Sequence, residues 1–216
     1  MIAPKQASNY KMAPIGTHIA RCYQFIHIGT NEDEYMGEKK DINKIRLTFE
    51  LPEEKQVFRE GDEPKPTVIS QEYTFSMAPK ANLRKLVEGI IGTTLADHEA
   101  DSFDVDSIVG MPCLLNIVHK TSRTGKERAE IATASPLMKS MTAPVAFNPS
   151  KIMTYKNFDQ EFFDKLPSFL KEKMTSSEEY YDMTHPMSAE EKAKLDSFHK
   201  QKPVTDNDIS AMDIPF

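Results

Sequence analysis

The sequence predicts a mainly β fold: a five-stranded barrel with one helix between its third and fourth strands, then a helical extension and an acidic tail. Three observations predict it. Stretches at 17–28, 42–51 and 67–76 alternate apolar and polar residues, the period of a strand with one face buried. One segment, 79–92, carries its apolar residues at helical spacing instead. Two more β-rich stretches, 111–120 and 127–134, flank a short polar connection. At 216 residues the chain can bury one sizeable core and still carry appendages.

The first stretch, THIARCYQFIHI, sets Ala20, Cys22, Ile26 and Ile28 on one face and Arg21, Tyr23, Phe25 and His27 on the other. A polar, turn-rich loop over 30–41 leads to INKIRLTFEL. There Ile45, Leu47, Phe49 and Leu51 alternate with Lys44, Arg46, Thr48 and Glu50. Pro52, Gly61, Pro64 and Pro66 then interrupt the period before TVISQEYTFS resumes it. Pro79 suits a first helical turn, Leu83, Leu86, Val87, Ile90 and Ile91 form one helical face, and Gly92 supplies a stop. MPCLLNIVHK reads as a buried strand, TSRTGK as a hairpin connection and ERAEIATA as the partner strand. The order β-β-β-α-β-β is that of the OB fold, a small Greek-key barrel whose second and third strands and two long loops bind oligonucleotides or oligosaccharides. An OB-type barrel is therefore the expected architecture.

Past Pro136 the composition changes to prolines, small residues and methionines without a period. This places a barrel over 1–136, a linker and helical extension packed on it over 137–200, and an acidic tail over 201–216. In the extension, Phe158, Phe162, Phe163, Leu166, Phe169, Leu170 and Met174 keep a helical period that Pro167 divides into two helices. Ser188 and Glu191 are spaced as a capping box for a further helix over 189–199. The last dozen residues are too polar to order themselves around a core.

A formal net charge of −6 argues against a polyanion ligand in bulk, but the charge is unevenly spread. Residues 203–216 hold Asp206, Asp208 and Asp213 with no Lys or Arg, whereas Lys120, Arg123, Lys126 and Arg128 crowd one hairpin. Cys22 and Cys113 sit in apolar runs and read as buried free thiols of a reducing compartment. No Cys-x-x-Cys or His-x-x-x-His spacing is present, so no metal is expected. Neither an apolar leader nor a stretch of about 20 apolar residues appears, so a soluble, cytoplasmic protein is expected. Asp97, Glu99, Asp101, Asp104 and Asp106 invite a metal-dependent nuclease reading. They lie between a helix and a strand with no base at motif spacing, and no phosphate-cradling or nucleophile motif occurs. No catalysis and no cofactor are expected.

The segment 206–216, DNDISAMDIPF, resembles the acidic tail of bacterial single-stranded-DNA-binding proteins, which closes on Asp-Ile-Pro-Phe or a near variant. An aromatic there can enter an apolar pocket while Asp residues meet its basic rim. The body is similar to phage-encoded single-stranded-DNA-binding proteins in Gly16-Thr17, in SMAPKANLRKL over 76–86 and in GMPCLLNIVH over 110–119. Leu166-Pro167 and SSEEY over 176–180 fit as well. The resemblance implies an OB barrel that protects single strands, with little sequence preference, during replication, recombination or repair in a bacterial host's cytoplasm. It also implies recruitment of replication or repair proteins through Asp206, Asp208, Asp213, Ile214, Pro215 and Phe216.

Single strands offer phosphates to Lys and Arg and base faces to aromatic rings. Arg21, Tyr23, Phe25, Lys44 and Arg46 fall opposite the apolar strand faces, and Lys120, Arg123, Lys126 and Arg128 flank the last hairpin. These residues, with Tyr73 from the third strand, are the candidate DNA groove. Phe25 and Tyr23 fit a core under the C-terminal helices as well as they fit a groove, and Tyr73 and Phe75 fit the core better than the groove. The acidic tail is expected to compete for that groove. The alternative is an OB-fold adaptor, or a recombination accessory or annealing protein, that works mainly through protein contacts. Exposed edge strands leave a homo-oligomer open.

Overall fold

β1 (Gly16–Tyr35) is the strand around which the rest is arranged. The computed structural model describes residues 12–35, 37–58, 60–122 and 125–186; Arg123, the 189–199 helix and the 206–216 tail lie outside the described residues. One edge of β1 pairs with β2 (Glu38–Gln56), and the other takes β4 (Pro112–Thr121) and then the short, parallel β6 (Lys151–Met153). β3 (Lys65–Thr74) flanks β2 and β5 (Glu127–Ser135) flanks β4, giving the order β3-β2-β1-β4-β5. All pairs except β1 with β6 are antiparallel. The two end strands, β3 and β5, approach each other without a backbone ladder between them. Across that seam the Ile131 amide donates to Gln71 Oε1 at 2.8 Å. The fold is thus mainly β, an open sheet with a few helices packed on it.

Two features of β1 differ from the sequence expectation. The first is a register shift between Cys22 and Gln24. One extra residue turns the alternation over, so Ala20 and Cys22 share the main core with Phe25, while Ile26 and Ile28 face a second cluster. Alternation alone put all four aliphatic and thiol positions on one face and Phe25 on the other. The second is the stretch 30–41, expected as a loop. β1 and β2 continue through it in register to the pair Tyr35 with Glu38. Opposite charges hold this arm, with Lys39 on Glu32 at 2.7 Å and Lys44 on Asp33. It has left the core, so both faces are polar and the period-two signal is missing.

The main core joins Ile45, Leu47, Phe49 and Leu51 of β2 to Leu115 and Ile117 of β4, all fully buried. The helix α1 (Asn82–Ile91) closes it with Leu83, Leu86, Val87 and Ile90, packing against β3, β4 and β5. It begins three residues after Pro79, which falls in the turn ahead, and Gly92 ends it as the sequence indicates. α2 (Asp97–Asp101) and a 3-10 turn (Val105–Ile108) lead into β4. Cys22 and Cys113 are free and buried, and burial pushes both thiols up to about 12.

The second cluster lies under the extension. α3 (Gln160–Asp164), α4 (Ser168–Thr175) and α5 (Glu178–Thr184) follow one another, with Pro167 between α3 and α4 as its missing amide requires. Phe163, Leu166, Leu170 and Met174 pack with Met153 on Ile26 and Ile28. β6 was not legible in the aperiodic 135–155 region; three residues are too few to show a period.

Candidate nucleic-acid interface

The open seam is a groove. Two contiguous cavities of about 720 and 470 Å³ share Gln71, Tyr73 and Asn82. The first lies between the arm of β2, the end of β3 and the approach to α1; the second runs between β3, α1 and β5. Lys40, Lys44, Lys80, Lys85 and Lys120 line the pair against three carboxylates, Asp41, Glu72 and Glu130. Lys40 pairs with Glu38, Lys44 with Asp33 and Lys120 with Glu130, so the positive character of the groove rests on Lys80 and Lys85. Lys80 and Lys85 are exposed and enter no ion pair among the described residues. Lys120 binds Glu130 at 2.6 Å, and Arg128 reaches the same carboxylate at 2.5 Å. Those two cations hold the Glu130 carboxyl below its usual range.

Phe75 stands at the mouth of this groove, 42% exposed. β3 stops at Thr74; the Phe75 amide still bonds the Asn43 carbonyl of β2, and a tight turn in which the Ser76 amide donates to the Thr74 carbonyl ends the ladder there. Its ring meets Phe25 edge-on at 6.3 Å and His27 at 5.5 Å. A phenyl ring held by two neighbouring rings and still partly exposed to solvent can stack on a base.

No family model, curated protein or solved structure matches this chain. The site is read from its own geometry, and that geometry redistributes the residues the sequence put forward. Lys44 and Lys120 line the groove. Lys126 and Arg128 are exposed beside it on the β4–β5 hairpin, and Arg123 lies outside the described residues. Tyr73 forms the floor at 6% exposure, too deep to stack on a base; burial raises its phenol, and its hydroxyl has no hydrogen-bond partner among the described residues.

Four expectations change. Phe25, 2% exposed, is core, because the register shift turns it inward. Arg21 is buried and committed: Nε donates to Glu50 at 2.8 Å, Nη1 to Ser150 at 3.0 Å and Nη2 to the Asn148 carbonyl. Arg46 lies over the Phe169 ring at 5.6 Å and 3.5 Å from Glu72, which Lys173 also binds at 2.7 Å. It serves the contact between β2 and α4. Tyr23 is half-buried on the far side, in a separate cavity with Gln24, Lys151 and Phe162.

Phe75, Lys40, Lys80 and Lys85 were not among the sequence candidates. Phe75 shares the parity of Tyr73 and reads as core until the strand is seen to stop. A lysine on a helix's polar face carries no local mark that separates a groove from solvent. Elsewhere, Asp97 is bound by Arg84 at 2.8 Å, and Asp106 is raised by burial and by its neighbour Asp104. Among the described residues no three His, Cys, Asp or Glu are placed to hold a metal ion, and no helix is long and apolar enough to cross a membrane.

Proposed function

We propose that this chain binds single-stranded DNA along the β3–β5 seam of an OB-type barrel, protecting it during replication, recombination or repair. The observation that carries the reading is the continuous groove in which Lys80 and Lys85, free of ion pairs among the described residues, accompany the exposed ring of Phe75. Phosphates neutralise the lysines and release counterions, while a base covers the ring. Neither contact depends on base identity, so binding is sequence-tolerant; stacking contributes about 1–3 kcal/mol per base. A duplex keeps its bases stacked inside and cannot use Phe75. The strand order and the position of α1 support the OB-type reading; that fold binds its ligand on the strand 2–3 face, which here walls the first of the two cavities. The segment from Asp206 to Phe216 recruits partner proteins in this account.

The test is fluorescence anisotropy of the protein with a labelled dT oligonucleotide and with a matched duplex. The expected result is tight binding of the single strand and much weaker binding of the duplex. Equal binding of both, or none at low salt, contradicts the reading and favours an adaptor that works through protein contacts.

A further inference from the structure

Resting on that reading, we infer that the C-terminal helices are part of the DNA site: Glu179 of α5 is a positioning residue that fixes Phe75 through Asn43 and His27. The connection is continuous. Glu179 Oε1 accepts from Asn43 Nδ2 at 2.9 Å, and Asn43 Oδ1 lies 2.9 Å from His27 Nε2. A carboxylate only accepts, so it fixes the Asn43 amide with its nitrogen toward Glu179. The Asn43 oxygen must then accept from His27, which places the imidazole proton on Nε2. The same Asn43 holds Phe75 directly, its backbone carbonyl accepting the Phe75 amide at 2.8 Å. His27 packs its ring against Phe75 on one side and against Tyr155 of the extension, at 5.3 Å, on the other. Backbone and ring of the stacking residue are therefore both held by groups that converge on Asn43 and His27.

Glu179 is anchored independently of these contacts. Its Oε2 accepts the Thr30 amide at 2.6 Å and its Oε1 the Thr30 hydroxyl at 2.8 Å. The helix start is pressed onto the strand at Gly29, where a Cβ would stand 2.6 Å from Glu179 Oε2 and 2.7 Å from Ser177. Gly29 has φ of +93° and marks the second register shift of β1. A residue with a side chain is thus excluded twice, by conformation and by space. The seating ties α5 to the base of the arm that lines the groove with Lys40 and Lys44.

The experiment compares five full-length proteins by anisotropy with a labelled dT oligonucleotide: wild type, Phe75→Ala, Glu179→Ala, the double variant and Asn43→Ala. Thermal melts check that each is folded. Phe75→Ala and Glu179→Ala are each expected to weaken binding, Phe75→Ala by about fivefold to a hundredfold. The double variant should bind no worse than Phe75→Ala, because Glu179 acts through that ring. Asn43→Ala removes the hydrogen-bonded link but leaves α5 seated on Thr30 and Glu179 Oε1 3.9 Å from His27 Nε2, and should weaken binding in the same direction as Glu179→Ala. Losses that multiply in the double variant, or wild-type affinity in Glu179→Ala and Asn43→Ala beside a weakened Phe75→Ala, overturn the inference. If wild type fails to bind, the single-strand reading falls first and this one with it.

Discussion

Phe75 and Tyr73 are two residues apart, and the end of β3 gives them opposite fates. Tyr73 stays in the strand and forms the floor of the groove; Phe75 stands just past its end and presents a ring. Phe75→Ala should therefore lower affinity for single strands by about 1–3 kcal/mol with little change in melting temperature. Tyr23→Ala, on the far side, should leave affinity unchanged. Titration of both variants with a labelled oligonucleotide checks this, and the reverse pattern would move the site to the Tyr23 cavity. The core positions of β2 could be read from the sequence, since Ile45, Leu47, Phe49 and Leu51 alternate cleanly and all are buried. Phe25 and Arg21 could not. Their environment depends on a one-residue register shift and on Ser150 and Asn148, more than 120 residues away in the chain.

At the scale of elements, β2 is buried on both faces at its centre: Thr48 and Glu50 are covered as fully as Leu47 and Phe49. The cover on Glu50 is the segment before β6. Glu50 accepts from the Phe147 amide at 3.2 Å and from the Asn148 amide and side chain at 2.8 and 2.7 Å, besides Arg21. Burial alone would raise this carboxyl, but the Asn148 amide, Arg21 and the Phe147 amide together outweigh it and hold the pKa below its ordinary value of 4.5. A lowered folded pKa stabilises the protein above the unfolded value, and the gain is lost as pH falls through the folded one. Glu50→Gln should thus cost about 3–5 kcal/mol near neutral pH, since it leaves Arg21 buried without its counter-charge. The gap to wild type should close as pH is lowered below 4.5. Urea melts over a pH series check both points; a gap independent of pH would remove Glu50 from this role. A pattern-based reading finds helices such as α1, whose one apolar face faces one core. It misses an arm that is polar on both sides and a strand of three residues, because neither leaves a periodic trace.

For the whole molecule, β1 is shared by two cores, the main core of the sheet on one side and the cluster under the extension on the other, and β2 pairs along it. The arm they form beyond the cores is braced by α5 and supplies one wall of the groove, so extension and groove are coupled by construction. The order of strands and helix followed from period and spacing alone. The open seam did not, because it depends on how β3 and β5 meet in space.

The most direct test of the groove is the salt dependence of dT-oligonucleotide binding for wild type and for the double variant Lys80→Ala, Lys85→Ala. Each phosphate contact on a single strand adds about 0.7 to the slope of log affinity against log salt. Weaker binding and a slope shallower by about 1.4 are expected in the variant. An unchanged slope would mean that the bound strand does not run past α1, and the seam would not be the site.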